Sequence, residues 1–230
     1  MIVYGVCVGP SGKFERFAAP SLKEIAGPDD VLITKTNQRS ISEAYNSILD
    51  EAADLQPDAV VLLHDDVELR DLGQTVRLLG DASVGVVGAI GGTGQTMMGW
   101  WTAPIRRGRA PDTESPNDFG GGTHEVDSVD GLILALSPSV ARSLRFDSLT
   151  FDGFHAYDAD ICAQARAAGF RVLVTEIDLF HHRREGHFLG DSDSYERNSL
   201  LWQIKWRQGN RRHQLRARLR LAALAIRKSR

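Results

Sequence analysis

The chain has only two cysteines in 230 residues, Cys7 and Cys162, and no Cys-x-x-Cys pair. That excludes a disulfide framework and a thiolate zinc site, and it makes a reducing cytoplasm the default setting. No stretch approaches the ~20 apolar residues of a membrane-spanning helix. Met1 to Pro10 lacks the basic start of a secretory leader and reads as a strand. Internal repeats, low-complexity tracts and clear linkers are also missing. Two nucleotide-binding signatures fail on inspection. Gly12-Lys13 has no following Ser or Thr and no correctly spaced earlier glycine, so it is not a P-loop. Gly88 to Gly94 spaces its glycines as G-x-x-G-G-x-G, not G-x-G-x-x-G.

Charge is plentiful but uneven. Of the 27 Lys and Arg residues, ten fall between Lys205 and Arg230, where there is no Asp or Glu. The rest of the chain is therefore acidic, which argues against nucleic acid as a partner. A hydrophobic fraction of 42% is enough to bury the core of one domain, expected over residues 1–206, followed by a basic segment over 207–230.

The elements alternate as in an α/β fold. Ile2–Val8 reads as a buried strand ending in the Gly9-Pro10-Ser11-Gly12 turn, and Val31–Thr34 as a second strand. Ser40-Ile41-Ser42-Glu43 has the capping-box pattern. The helix it opens carries Ile41, Tyr45, Ile48 and Ala52 on one face and stops near Asp54, before Pro57. Ala59–Leu63 is a continuous apolar run, as expected of a central parallel strand. A helix over Leu72–Leu79, a strand over Val84–Ile90, a long irregular stretch over Gly91–Asp127, and a strand within Val129–Leu136 follow. Ser137-Pro138 starts a helix, Asp158–Ala168 forms another, and Val172–Thr175 is expected as the last strand.

Three clusters can carry chemistry. His64-Asp65-Asp66 ends the central strand, and ligands of open α/β sheets gather outside strand carboxyl ends. Two adjacent carboxylates suit Mg²⁺ or Mn²⁺, but they also suit a solvated turn. Phe151–Asp160 is an aromatic and acidic loop feeding a helix start. Asp158 and Asp160 stand about 200° apart on a helix, so they cannot both face one substrate. One can be a base while the other caps or holds a loop, or both can be ordinary first-turn acids. His181 and His182 follow the last expected strand, where one imidazole can complete a cation's shell or both can simply pack.

In order and spacing these segments resemble family 2-like glycosyltransferases of the GT-A fold, specifically the streptomycin-biosynthesis StrF-type group. The resemblance runs from about Thr34 to Trp206. It rests on Asn37-Gln38-Arg39-Ser40-Ile41 with Ala44-Tyr45-Asn46, on Leu62 to Val67, Val84 to Gly88, Val129-Asp130-Gly131, Phe151 to Asp160, and His181-His182. It implies a Rossmann-like, mostly parallel sheet flanked by helices. The implied activity is metal-dependent, inverting transfer from a nucleotide-diphosphate sugar donor to a hydroxyl acceptor. His64-Asp65-Asp66 matches the D-x-D position, so Asp66 would hold the metal and Asp65 would face sugar or ribose. Asp130 and Gly131 match the donor-sugar pocket. Asp158 matches the catalytic base, and His182, with His181 as the alternative, matches the late metal histidine. Asn37 and Asn46 fall near the nucleotide.

Two departures stand out: His64 replaces the first D-x-D acid, and Thr34-Lys35-Thr36-Asn37 lacks the acidic residue usual after the second strand. The nucleobase is therefore open. Trp100 and Trp101 could close over donor or acceptor, or be partly buried core aromatics. The rivals to an active transferase are a catalytically silent sugar-binding module of this fold and a nucleotidyltransferase.

In the basic tail, Leu215, Leu219, Ala222 and Ile226 share a helical stripe with arginines on the other faces. That pattern fits docking on protein, on this chain or on a second copy, and it also fits a membrane surface. The expected location is the cytoplasm, including peripheral attachment at the membrane's inner face.

Overall fold

A computed structural model describes residues 1–183, 192–206 and 211–228, with no account of the side chains at 192–193, 211–214, 223 and 225–228. Its centre is a 7-stranded sheet of order β2-β1-β3-β10-β5-β11-β8. The strands are β1 (Ile2–Val8), β2 (Val31–Thr36), β3 (Ala59–His64), β5 (Val84–Gly88), β8 (His124–Glu125), β10 (Ile133–Leu136) and β11 (Arg171–Val174). The pairs β1/β2, β1/β3 and β5/β11 are parallel, while β10 runs antiparallel to both β3 and β5, and β8 antiparallel to β11. The carboxyl ends of β1, β2, β3 and β5 therefore share one rim with the start of β10.

Strand alternation divides the core into two layers. Val60 and Leu62 of β3, with Leu134 and Leu136 of β10, pack under α2 (Ile41–Ala53), α4 (Pro138–Ser143) and α5 (Tyr157–Ala167). Val61 and Leu63, with Ile133 and Ala135, face Leu22 of α1 (Ala19–Ile25), Leu69 of β4 (Val67–Asp71) and Leu79 of α3 (Thr75–Leu79). These β3 and β10 side chains are fully buried, and each Val, Leu or Ile among them is worth roughly 1.5–3 kcal/mol of transfer free energy. At the start of α2, Ser40 Oγ accepts the Glu43 backbone N–H at 3.1 Å, while the Glu43 carboxylate turns to Arg39.

Several expected boundaries shift. The helix after β4 is only α3, starting at Thr75. The Val84–Ile90 run splits: β5 stays in the main sheet, and β6 (Ile90–Thr93) crosses to a small sheet with β7 (Ile105–Gly108) and β9 (Ser128–Val129). Val129–Leu136 splits likewise between β9 and β10. A continuous apolar run does not announce a change of sheet. β11 is not the last strand, because β12 (Asp178–His181) follows and pairs antiparallel with β4.

In the tail, α7 (Arg211–Lys228) packs on α6 (Ser192–Trp206) through Ala217 and Leu224 against Leu200. The anticipated stripe is thus not the buried one. Leu215 and Leu219 are 59% and 63% exposed, and Ala222 is exposed with them. The anticipated segment boundary after 206 touches 207–210, and Ile226 has no described side chain; both lie outside the described residues.

Candidate active site

A cavity of about 600 Å³ opens at the carboxyl rim. Its lining joins His64, Asp65, Asp66, Trp100, Trp101, Asp130, Asp158 and His181. These come from the end of β3, the turn before β10, the start of α5, the end of β12, and a 3-10 turn at Trp100–Thr102.

The β4–β12 ribbon decides which histidine faces the cleft. His181 pairs in register with Val67, and the His182 backbone N–H donates to Asp66 O at 2.8 Å. His181 Nε2 lies 3.1 Å from Asp66 Oδ1. His182 turns away, pairing with Glu68 Oε2 at 2.8 Å and stacking on Phe17 at 3.7 Å. Neighbouring residues of an extended chain point to opposite sides, so only one of the two can reach Asp66. Of the two histidines anticipated together, His181 faces Asp66 and His182 faces Glu68.

His64, Asp66 and His181 each offer a ligand atom, all within 4.8 Å of one another. His64 Nδ1 stands 4.0 Å from Asp66 Oδ1, and its Nε2 is 2.6 Å from Tyr157 Oη. Burial pushes the His64 imidazole down to about 4, against the pull of Asp66, so it is neutral at physiological pH. In the tautomer whose Nε2–H donates to Tyr157 Oη, Nδ1 presents its lone pair toward Asp66. Burial opposes the Asp66 charge, but the His181 hydrogen bond, the neighbouring imidazoles and Lys13 outweigh it and hold the carboxyl well below its ordinary range. One carboxylate with two imidazoles fits a first-row divalent cation such as Mn²⁺ better than the harder Mg²⁺.

Gly131 does not line the cavity; it makes room for Tyr157. A Cβ there would lie 2.1 Å from Tyr157 Oη, so any side chain would push the tyrosine off His64. Asp130 accepts the Trp100 indole N–H at 2.5 Å, which fixes the 3-10 turn over the cleft. Trp100 is buried, whereas Trp101 is 37% exposed and stacks on Tyr195 of α6.

Asp158 sits in the first turn of α5, where Oδ1 accepts the Ala159 N–H at 2.8 Å and Oδ2 the Gly131 N–H at 3.1 Å. Burial, reinforced by the charge of Asp130, raises it to about 7. Asp160 points the other way, as the helical spacing requires. Fully buried, it accepts from Trp206 Nε1 at 2.7 Å and Gln164 Nε2 at 2.8 Å, and pairs with Lys205 at 2.8 Å, tying α6 to α5.

Three anticipated donor contacts have other geometry. The Asn46 amide exchanges hydrogen bonds with the Phe146 backbone at 2.9 and 2.8 Å, bracing α2 against the segment after α4. Asn37 stands exposed just past β2 at φ 55°, outside the cavity lining. Asp65 lines the cavity but also accepts the Gly9 N–H at 2.8 Å, fastening the turn after β1. Lys13 was missed: its Nζ lies 2.6 Å from Asp66 Oδ2. A lone cation in a glycine-containing turn after β1 was the available signal, and the test for a P-loop discarded it. Tyr195 left no local signal, since it reaches the cleft only through the packing of α6.

Residues 6–201 match the family described as glycosyltransferase-like. This chain belongs to that family. It is 37% identical over 209 residues to the streptomycin biosynthesis protein StrF of Streptomyces griseus, covering 88% of this chain and 73% of that protein. Among solved structures it resembles GalNAc-T7 with UDP, GalNAc and Mn²⁺ at a TM-score of 0.60 and 9% identity, over 89% of this chain and 48% of that one. It also resembles the mannosyltransferase PcManGT of Pyrobaculum calidifontis with GDP-Man and Mn²⁺, at a TM-score of 0.56 and 15% identity, over 98% and 64% of the two chains. The family and the sheet together give the GT-A glycosyltransferase fold.

Proposed function

We propose that this glycosyltransferase moves a sugar from a nucleotide-diphosphate donor to a hydroxyl acceptor, with inversion, using a divalent cation at His64, Asp66 and His181. The observation that carries the reading is one cavity lined by both this donor set and Asp158. The nucleotide and Mn²⁺ bound by GalNAc-T7 and PcManGT support the donor and ion classes. A cation held there neutralises the charge that builds on a departing diphosphate. Asp158 receives the acceptor hydroxyl's proton. Its carboxyl near 7 combines an ionised population at neutral pH with real proton affinity, the compromise a general base needs. Asp130 and Trp100 form the donor-sugar wall, and Trp101 offers an aromatic face to a sugar ring.

The test is calorimetry with UDP, GDP and other nucleoside diphosphates, with and without Mn²⁺, followed by a product assay with the matching sugar donors. The expected outcome is Mn²⁺-dependent nucleotide binding, release of nucleoside diphosphate, and an inverted anomeric product. Pyrophosphate release, or a product of retained configuration, would contradict the reading.

The outward face of α7 is proposed to rest on an anionic membrane surface. Exposed Leu215 and Leu219 lie beside exposed Arg216 and Arg218, and no acidic residue follows Lys205. No described helix is long and apolar enough to cross a membrane. Sedimentation with vesicles containing phosphatidylglycerol tests this; equal recovery with neutral vesicles, or no loss in Leu215→Glu/Leu219→Glu, would discard it.

A further inference from the structure

We infer that Lys13 binds the donor's diphosphate, from a position fixed by the same carboxylate that the cation set uses. The inference rests on the donor reading above and extends it to a residue on a different loop. Lys13 follows the turn that closes β1, and Gly12 in that turn has a φ of 71°, which favours glycine. Asp65 grips the turn through the Gly9 N–H, and Asp66 grips it through Lys13. Both acids of the His64-Asp65-Asp66 segment therefore position this loop at the cleft.

The two oxygens of Asp66 divide the work. Oδ1 faces His64 Nδ1 and His181 Nε2, at 4.0 and 3.1 Å, while Oδ2 faces Lys13 Nζ at 2.6 Å. A cation among the imidazoles and the lysine ammonium would then stand side by side on one carboxylate. Two adjacent positive centres in a recessed pocket suit an anion with two linked charged groups, which a diphosphate is and a monophosphate is not. Both side chains are mostly shielded, at 22% exposure for Lys13 and 13% for Asp66, so the charges act with little screening by water. Lys13 also lines the cavity, so its ammonium can turn from Asp66 to a phosphate oxygen by side-chain rotation alone.

The experiment compares wild type, Lys13→Met and Lys13→Arg by calorimetry with UDP and GDP in Mn²⁺, with UMP and GMP in Mn²⁺, and with Mn²⁺ alone followed by electron paramagnetic resonance. The expected result for Lys13→Met is about tenfold weaker diphosphate binding, the scale of one charge-assisted hydrogen bond, with a smaller loss for the monophosphates. Mn²⁺ alone should bind as tightly as in wild type or more tightly, because a competing positive charge is gone. Lys13→Arg should recover part of the diphosphate affinity. Unchanged diphosphate binding in Lys13→Met would overturn the inference and leave the donor reading standing, as would parallel loss of Mn²⁺ binding, which marks a structural role. Absence of Mn²⁺-dependent diphosphate binding in wild type would overturn the donor reading itself. A wild-type measurement avoids any folding defect of the variants: after ¹³C reductive methylation, the Lys13 resonance should shift with UDP or GDP and Mn²⁺. A resonance that stays fixed under saturation would contradict the inference.

Discussion

On the sheet side of the cleft, His64, Asp65, Asp66 and Lys13 hang from the carboxyl ends of β3 and β1, neighbouring parallel strands in the buried core. The aromatic part of the lining comes from outside the sheet. Trp100 and Trp101 come from a 3-10 turn, Phe154 from the loop before α5, and Tyr195 from α6. They are held by packing, Trp100 in the core layer of Leu132 and Tyr195 against the Met98, Phe151 and Trp202 cluster, and by long-range polar ties: Trp100 to Asp130, Lys205 to Asp147 and Asp160, and Trp206 to Asp160. The first region presents charge on a rigid frame, which suits an ion and a diphosphate. The second presents apolar faces on a turn, a loop and a helix that meet only through tertiary packing.

Breaking the chemistry between the two regions should have the largest effect. Asp158→Asn is expected to lower turnover by about 10²–10⁴-fold while leaving Mn²⁺-dependent nucleotide binding near wild type, as rate assays and calorimetry on one preparation can show. Cutting the ties of the aromatic side should instead cost stability. Asp160→Ala takes the acceptor from the Trp206 and Gln164 N–H groups, leaves Lys205 with Asp147, and is expected to destabilise the fold by about 2 kcal/mol in denaturant titrations, with activity retained at low temperature.

On the sheet side, His181→Ala should weaken Mn²⁺ binding by about 100-fold. His182→Ala loses a partly exposed pair with Glu68 and a stack on Phe17, and should leave Mn²⁺ affinity within about twofold. Tyr157→Phe removes the partner that orients His64 and should cost about tenfold in Mn²⁺ affinity.

A separate test is the pH dependence of Asp158. The rate should fall on its acid limb, reaching half near pH 7. Because its folded value lies above the unfolded value of about 4, this carboxyl favours the native state at low pH and loses that contribution as pH rises through about 7. Asp158→Asn should therefore be more stable than wild type at pH 8, and this advantage should disappear as pH falls toward 4, as melting curves across that range can check.

The same division explains what the sequence revealed. On the sheet side the strand ends were legible because their signals are local, an apolar run, then His64-Asp65-Asp66, and a Ser40 cap before α2, whereas Lys13, a lone cation in a turn, has no such signal. Helix geometry forces Asp158 and Asp160 apart, but the choice of Asp158 came from the resemblance alone, since which of the two faces the cleft depends on Trp206, 46 residues after Asp160. The choice between His181 and His182 was not legible, because it hangs on the register of β12 against β4, and neither strand stood out as a separate element. Tyr195 and the tail's buried face depend on how α6 and α7 lie on the body. Leu215, Leu219 and Ala222 have the spacing of a packing stripe, yet Ala217 and Leu224 do the packing on α6. Spacing identifies faces of a helix; it does not say which face meets a neighbour.

The most direct measurement is an anomalous difference map from crystals grown with Mn²⁺ and a nucleoside diphosphate. The account predicts one strong peak bounded by His64 Nδ1, Asp66 Oδ1 and His181 Nε2, in the cavity that Asp158 also lines, with His182 still on Glu68. A peak at the His182–Glu68 pair, or none beside Asp66, would contradict it.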